Sequence, residues 1–324
     1  MNLKHYIHRF ENLKVDKAHG IAPHKPVLLL SIIQLIENGS IDSNRIYITP
    51  ELASAFKSYW HLLVTSKHTA IFALPFYHLT SDKFWRLIAK PGYEKALELK
   101  GAMRSFNNLN TAVDFAEIDV ALFDLLKVKE NRDVLRWTIL NKYFPESKDK
   151  ISGGDFGNNY LEELGNELLK ESAEEYRNKL NDIKCQLGDE SYEEEVFLRS
   201  SAFKREVLKI YNNTCCISGL RIDATKSVSM IDACHIVPFT LSLDDTIDNG
   251  LALCPNLHRA FDRGLVAIDD NYKVIIAKNF IESNQSPYQI KFFGGKRLLL
   301  PHNKKYYPSL ENLAKHRSLM GIKP

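Results

Sequence analysis

Cysteine is scarce in this chain. Its five residues among 324 (Cys185, Cys215, Cys216, Cys234 and Cys254) make an odd number, and no hydrophobic signal segment opens the sequence, so a disulfide framework is not expected and the compartment should be reducing. Paired C-x-x-C motifs are lacking too. The third residue after Cys216 is Gly219 and after Cys254 it is Leu257, which argues against a structural four-cysteine zinc. Cys216 and Cys254 read instead as small buried hydrophobes. Long apolar runs are missing: the longest, residues 27–33, is interrupted by Ser31 and is far too short to span a membrane. Nor does one sign of charge dominate. Lys and Arg number 43 against 40 Asp and Glu, a net charge of +3, so any affinity for a polyanion must come from local patches.

What is present suffices for a sizeable core. With 44% hydrophobic and 26% charged residues, a chain of this length is expected to form two domains. Residues 147–159 lack periodicity, contain Gly153-Gly154 and Gly157 and read as a linker. Beyond it Leu161, Leu164, Leu168, Tyr176, Leu180, Ile183 and Leu187 recur at helical spacing, which predicts one long amphipathic connector helix. Its other face is acidic (Glu162, Glu163, Glu167, Glu171, Glu174, Glu175), and the acidic run 189–195 follows. The segment should be a solvated spacer that does not touch a polyanion, with homodimerisation through it as the alternative. The expected division is 1–146, 147–195 and 196–324.

Two stretches, DACHIVPF (232–239) and DNGLALCPNLHRAFD (248–262), place reactive side chains at telling spacing. The first reads as a strand from Val228, Met230, Ile231, Ile236 and Val237, stopped by Pro238. Asp232 and Cys234 then share one face and His235 points the other way. The second opens on an Asp-Asn-Gly turn signal, passes through Leu251 to Leu253, and continues from Pro255 as a helix. There His258 and Asp262, four residues apart, can converge on one cation. Hydrolysing a phosphodiester needs a base for water, a divalent cation for the charge building on phosphate, and a scaffold holding both. These stretches can supply all three; the bland alternative is a satisfied strand histidine beside an ordinary Asn-Gly hairpin.

The pattern resembles the HNH, or ββα-metal, nuclease family, with His235, Asn249 and His258 at the H, N and H positions. The resemblance implies that His235 activates water, that Asn249 positions His235, and that His258 ligates one Mg2+ or Mn2+ with help from Asp232 or Asp262. Many members carry Asp or His immediately before the base, where this chain has Cys234.

In the N-terminal part, an apolar helix over 28–36 follows Ala22-Pro23-His24-Lys25-Pro26, with Pro26 suited to its first turn. His24 and Lys25 then stand at a helix N-terminus, where backbone amides and a cation favour phosphate. Residues 72–79, FALPFYHL, precede Asp82, Phe84, Trp85 and Arg86. Phe76, Phe84 and Trp85 are expected in the core, with Asp82 capping a turn. The stretches APHKPVLLLSII, LPFYHLTSDKFWRL and IDVALFDLLKVKENRDVLRWTILNKYF (118–144) resemble the DNA sulfur-binding domain of McrA-like type IV restriction enzymes, which cut DNA whose backbone carries a phosphorothioate. The resemblance implies a pocket made by His24, by Lys25 where Arg is typical, by Leu74 where Tyr is typical, by Pro75, and by His78 where a small residue sits; Arg86, the basic end of the aromatic segment, is a further candidate DNA contact. Sulfur is larger and more weakly hydrated than oxygen, so Leu74 and the Pro75 ring can favour it while His24 and Lys25 hold the charge.

The C-terminal PYQIKFFGGKRLLLPHNKKYYPSLENLAKHRS resembles the tail of the same group. Gly294-Gly295 reads as a turn between two short strands, with Lys296, Arg297, Lys304 and Lys305 beside Tyr306 and Tyr307 either clamping a nucleic-acid backbone or forming a solvated basic hairpin. The expected protein is α+β: a mainly helical DNA-reading domain, a long connector helix and a ββα-metal nuclease domain. Its expected partner is double-stranded DNA with a modified backbone, and its setting restriction of foreign DNA in a prokaryotic cytoplasm. Two alternatives stay open, an HNH nuclease without sulfur specificity and a reader that does not cut.

Overall fold

The fold is known from a computed structural model, which describes residues 2–18, 20–99, 101–151, 159–222, 229–278, 280–283, 285 and 288–322. Asn2 starts it by accepting a hydrogen bond from the His5 amide, capping α1 (Leu3–Glu11), which buries Tyr6 and Phe10. In α2 (His24–Glu37) every residue from Lys25 to Ile36 is buried. A helix apolar over most of its surface belongs at the centre of a core, and Ser31 and Gln34, caught there, are satisfied: Ser31 donates to Val27 O at 2.9 Å and Gln34 accepts from Tyr59 at 3.0 Å. After β1 (Arg45–Ile46), Thr49 caps α3 (Pro50–Leu63) with Pro50 in its first turn, a pairing of cap and pre-set φ that starts helices well. Then come α4 (Ala73–His78), β2 (Trp85–Ala89), α5 (Phe106–Ala112), β3 (Val113–Ile118), α6 (Val120–Lys127) and α7 (Lys129–Tyr143). The three strands form one antiparallel sheet in the order β1-β3-β2. Phe76, Phe84 and Trp85 are buried as expected. Asp82 is not a local turn cap; it accepts from the distant Lys14 amide at 2.8 Å.

The single connector helix expected over 161–187 is instead two helices, α8 (Asn159–Leu168) and α9 (Ala173–Leu187), and the acidic run after it opens a third, α10 (Asp189–Ile210). The first break has a readable cause. Ser172 and Glu175 form a capping box, with Ser172 Oγ accepting from the Glu175 amide at 3.3 Å and Glu175 accepting from the Ser172 amide at 2.8 Å, which starts α9 afresh. The acidic run is not a solvated face either. Glu194 is fully buried, accepting from the Phe72 amide at 2.9 Å and pairing with Lys57 at 3.2 Å, and Glu193 accepts from Ser105 at 2.7 Å. Of the expected linker, Ser147 is buried and donates to Leu63 O at 2.7 Å; Gly153-Gly154 and Gly157 lie outside the described residues.

By contacts, the chain forms two units: Met1–Glu163 with Leu180–Leu198, and Leu164–Lys179 with Arg199–Pro324. Residues 147–195 are therefore shared between the units and do not stand alone. The second unit holds a two-stranded antiparallel sheet of β4 (Asp232–His235) and, after the short α11 (Phe239–Ser242), β5 (Gly250–Leu253), followed by α12 (Pro255–Asp262). A second hairpin, β6 (Val266–Ile268) with β7 (Val274–Ile276), and α13 (Leu310–Leu319) complete it. Val228 lies outside the described residues. The hairpin expected about Gly294-Gly295 does not form: a 3-10 turn over Ile290–Phe293 precedes it, and Arg297 makes only an isolated bridge to Lys273. Gly295, at φ 74°, donates to Val274 O at 2.8 Å, laying this segment beside β7. Among the described residues no helix is long and apolar enough to cross a membrane.

Candidate active site

Strand β4, its partner β5 and helix α12 bring the reactive side chains of the second unit together. In β4 the alternation works as the sequence suggests. Asp232 and Cys234 turn to α12: Asp232 Oδ2 lies 3.2 Å from His258 Nδ1, and Cys234 Sγ donates to Asp262 Oδ1 at 3.8 Å. His235 takes the other face, its ring stacked on Phe203 of α10 at 4.2 Å and 10°.

Opposite His235 in the ladder stands Gly250. The sequence suggests a turn glycine, but Gly250 is a strand residue, and its need for hydrogen is steric: a Cβ there would lie 2.6 Å from Val207 and 3.0 Å from Phe203. The same close approach of α10 brings Phe203 to the His235 ring.

Asn249 is fully buried. Its Oδ1 accepts from the Val237 amide at 2.9 Å, and its Nδ2 donates to Val237 O and Asp244 O, each at 3.0 Å. It touches the backbone around His235 and not the ring, locking the chain that follows the histidine to the loop that precedes β5. The ring has a different partner, which the sequence does not suggest. Asp245 Oδ1 lies 2.7 Å from His235 Nε2, and Asp245 is fully buried. In the sequence it belongs to an Asp-Asp pair that looks like an ordinary solvated loop.

His258 is flanked by two carboxylates, one at each ring nitrogen: Asp232 at Nδ1 and Asp262 at Nε2, 3.4 Å away. The two acids named as alternatives from sequence are thus not interchangeable. A cation on Nε2 can be shared with Asp262, while Nδ1–H donates to Asp232, the usual arrangement of a metal-bound histidine. Cys234, His258 and Asp262 each place a ligand atom within 4.8 Å of the others. Burial pushes the Cys234 thiol well above its ordinary range, so it remains a protonated donor to Asp262. With sulfur protonated, the donors left are one imidazole and carboxylate oxygen. That set fits a hard, oxygen-preferring divalent ion.

Cys254 is buried as expected; of the two thiols that influence each other here, that of Cys215 is pushed below its ordinary value and that of Cys254 above it.

In the first unit, His24, Lys25, Leu74, Pro75 and His78 do line one cavity of about 490 Å³, together with His68, Ser81 and Arg104. Arg86 is not among them; it pairs with Glu117 across the β2–β3 ladder. Lys25 is at the cavity but its ammonium is spent, donating to Lys14 O at 2.6 Å, Ser81 Oγ at 2.8 Å and Asp82 Oδ2 at 2.6 Å. His24 meets the Thr69 carbonyl at 2.9 Å through Nε2 and packs 4.7 Å from Trp60. A carbonyl only accepts, so Nε2 carries the hydrogen. Burial lowers the ring's pKa to about 4, and it is neutral at neutral pH.

A two-stranded antiparallel hairpin followed by a helix, with a histidine on the first strand and a second histidine between acids on the helix, defines a ββα nuclease module. Residues 215–269 match the HNH endonuclease family, and the chain carries an HNH endonuclease domain in its C-terminal region. No curated protein matches the chain. Among solved structures it is similar to one titled "Modification dependent TagI restriction endonuclease", at 24% identity and a TM-score of 0.27. That match covers 36% of this chain and 37% of the other, little more than a third of either.

Proposed function

We propose that the protein is a modification-dependent DNA endonuclease, in which the HNH domain hydrolyses the phosphodiester and the first unit reads the DNA backbone. The observation that carries this reading is the pairing, within the HNH domain, of a histidine held against a buried carboxylate with a second histidine held between two carboxylates. His235 is the general base and His258 with Asp262 holds one Mg2+ or Mn2+; Asp232 supports His258 through Nδ1. Bound there, the ion would neutralise charge developing on the phosphate. Asn249 sets the position of His235 through the backbone.

The cavity in the first unit is the candidate reading site for a phosphorothioate. Leu74 and Pro75 supply an apolar wall for a weakly hydrated sulfur. With Lys25 committed to Asp82 and His24 neutral, the charge of a bound anion falls to Arg104, which is largely exposed and only 3.7 Å from Glu190.

The test is cleavage of matched duplexes, with and without one phosphorothioate, at fixed salt with Mg2+ or Mn2+, beside the His235→Ala protein. Preferential cutting of the sulfur-bearing duplex, lost in the variant, is expected. Equal cutting of both keeps the nuclease and sinks the sulfur reader. Binding without cutting by the unaltered protein makes the HNH domain a structural part of a reader.

A further inference from the structure

We propose that Asp245 and Tyr176 are positioning residues for His235, fixing which ring nitrogen is free to take a proton; the functional consequence rests on the nuclease reading above. Asp245 lies in the loop before β5, ten positions after His235, and its carboxylate has two partners among the described residues. Oδ1 faces His235 Nε2 at 2.7 Å, and Oδ2 accepts from the Tyr176 hydroxyl at 2.9 Å. Asp245 and Tyr176 are both fully buried. Tyr176 belongs to α9, in the part that folds with the second unit. It is held there in turn: the Arg199 guanidinium lies 5.4 Å from its ring centroid, and Arg199 pairs with Glu167 at 2.8 Å and Glu171 at 3.2 Å.

A carboxylate only accepts hydrogen bonds, so the hydrogen between His235 and Asp245 sits on Nε2. The neutral ring then has its lone pair on Nδ1, and stacking on Phe203 holds the ring plane. A proton removed from water would go to Nδ1, leaving hydroxide as the nucleophile. The resulting imidazolium would keep its Nε2–H on a carboxylate whose charge opposes its own. Such an acid orients and compensates the base without itself becoming protonated.

Tyr176 decides how strongly the arrangement holds, because its single hydroxyl hydrogen points at Asp245 Oδ2. In Asp245→Asn, where the hydroxyl goes on donating as it does here, that hydrogen selects the amide oxygen, which turns the amide nitrogen towards His235. An N–H facing Nε2 forces the ring hydrogen onto Nδ1, and the base is blocked. Adding Tyr176→Phe removes the selection and frees the amide to flip, so that its oxygen can again accept from Nε2–H. A residue that merely filled space would produce neither effect.

Long-range ¹H–¹⁵N correlation spectra of the full-length protein at pH 8 report the hydrogen's place on each histidine ring, with the His235 signals identified by their loss in His235→Gln. The expected result is an Nε2–H ring in the unaltered protein, an Nδ1–H ring in Asp245→Asn, and a partial return to Nε2–H in the double variant. Cleavage should follow the same order, falling about 10²-fold or more in kcat with little change in KM for Asp245→Asn and recovering in part in the double variant. An Nδ1–H ring in the unaltered protein, or a tautomer indifferent to Asp245→Asn, overturns the proposal. The spectra need no substrate. A protein that cuts nothing but shows the expected tautomers removes the nuclease reading and leaves the positioning intact.

Discussion

His24 and His235 are the same side chain in two opposed settings. His24 shows Nε2 to a backbone carbonyl, packs tilted against Trp60 and has a lysine beside it whose charge is already answered by Asp82. His235 shows Nε2 to a buried carboxylate and lies flat on Phe203. A carbonyl fixes the tautomer but offers no charge to match a protonated ring, and burial without compensation keeps His24 neutral. A carboxylate fixes the tautomer and also suits the ring once it has gained a proton. The first arrangement makes a shaped, uncharged wall; the second is one that would suit a base. A histidine next to a cavity is therefore not informative until the partner of its far nitrogen is known.

The comparison breaks most sharply at the base itself. His235→Ala should lower the cleavage rate by about 10²- to 10⁴-fold while DNA affinity in gel shift stays near that of the unaltered protein, and a cleavage rate within tenfold of normal would remove His235 from the chemistry. In the first unit the largest loss should come from the buried pair. Side chains of Lys25 and Asp82 are 7% and 4% exposed, and Asp82→Ala strands an ammonium, which costs about 3–5 kcal/mol in such settings. Chemical denaturation reads this directly, and a Lys25→Met, Asp82→Leu double variant should recover much of it.

A smaller effect sharpens the neutral-wall side of the contrast. His24 folds with its pKa lowered from 6.5 to about 4, so the unfolded chain binds a proton that the folded one refuses. Its contribution to stability is complete above pH 6.5, is lost as pH falls from there towards 4, and changes no further below. The loss is on the order of 3 kcal/mol by linkage, and His24→Asn should flatten that part of the stability profile; an unchanged slope would deny the neutral burial. Least of all, Ser172→Ala should cost about 1 kcal/mol through the lost cap of α9, measured by thermal unfolding.

The legible part of this protein was local. His235, Asn249 and His258 fall on a strand, a turn and a helix within a short stretch, so alternation along β4 and the i, i+4 rule along α12 place Asp232, Cys234, His258 and Asp262 correctly relative to one another. The cavity lining was legible by resemblance, but the state of its lysine was not, because Asp82 lies 57 residues away. Asp245 was hidden for a related reason. Nothing in Leu-Asp-Asp-Thr says that one acid is buried, and its second partner, Tyr176, is 69 residues upstream. The acidic run 189–195 misled because charge suggests solvent, whereas Glu194 answers Lys57 and a backbone amide inside the fold. Asn249 also shows a limit of reading by role. The sequence makes it a partner of His235, whereas its side chain bonds the backbone of Val237 and Asp244 and not the ring.

The units alternate along the polypeptide, changing hands at 163/164, 179/180 and 198/199. Three junctions, not one, separate the half that carries the His24 cavity from the half that carries His235. A gene exchange with a single crossover near residue 196 would deliver the ββα module without Glu167, Glu171 and Tyr176, and so without the groups that hold Asp245 and Arg199. If the first unit reads DNA and the second cuts it, the two are inherited as one sentence whose clauses interrupt each other, and a new reader would not be installed by changing the first clause alone.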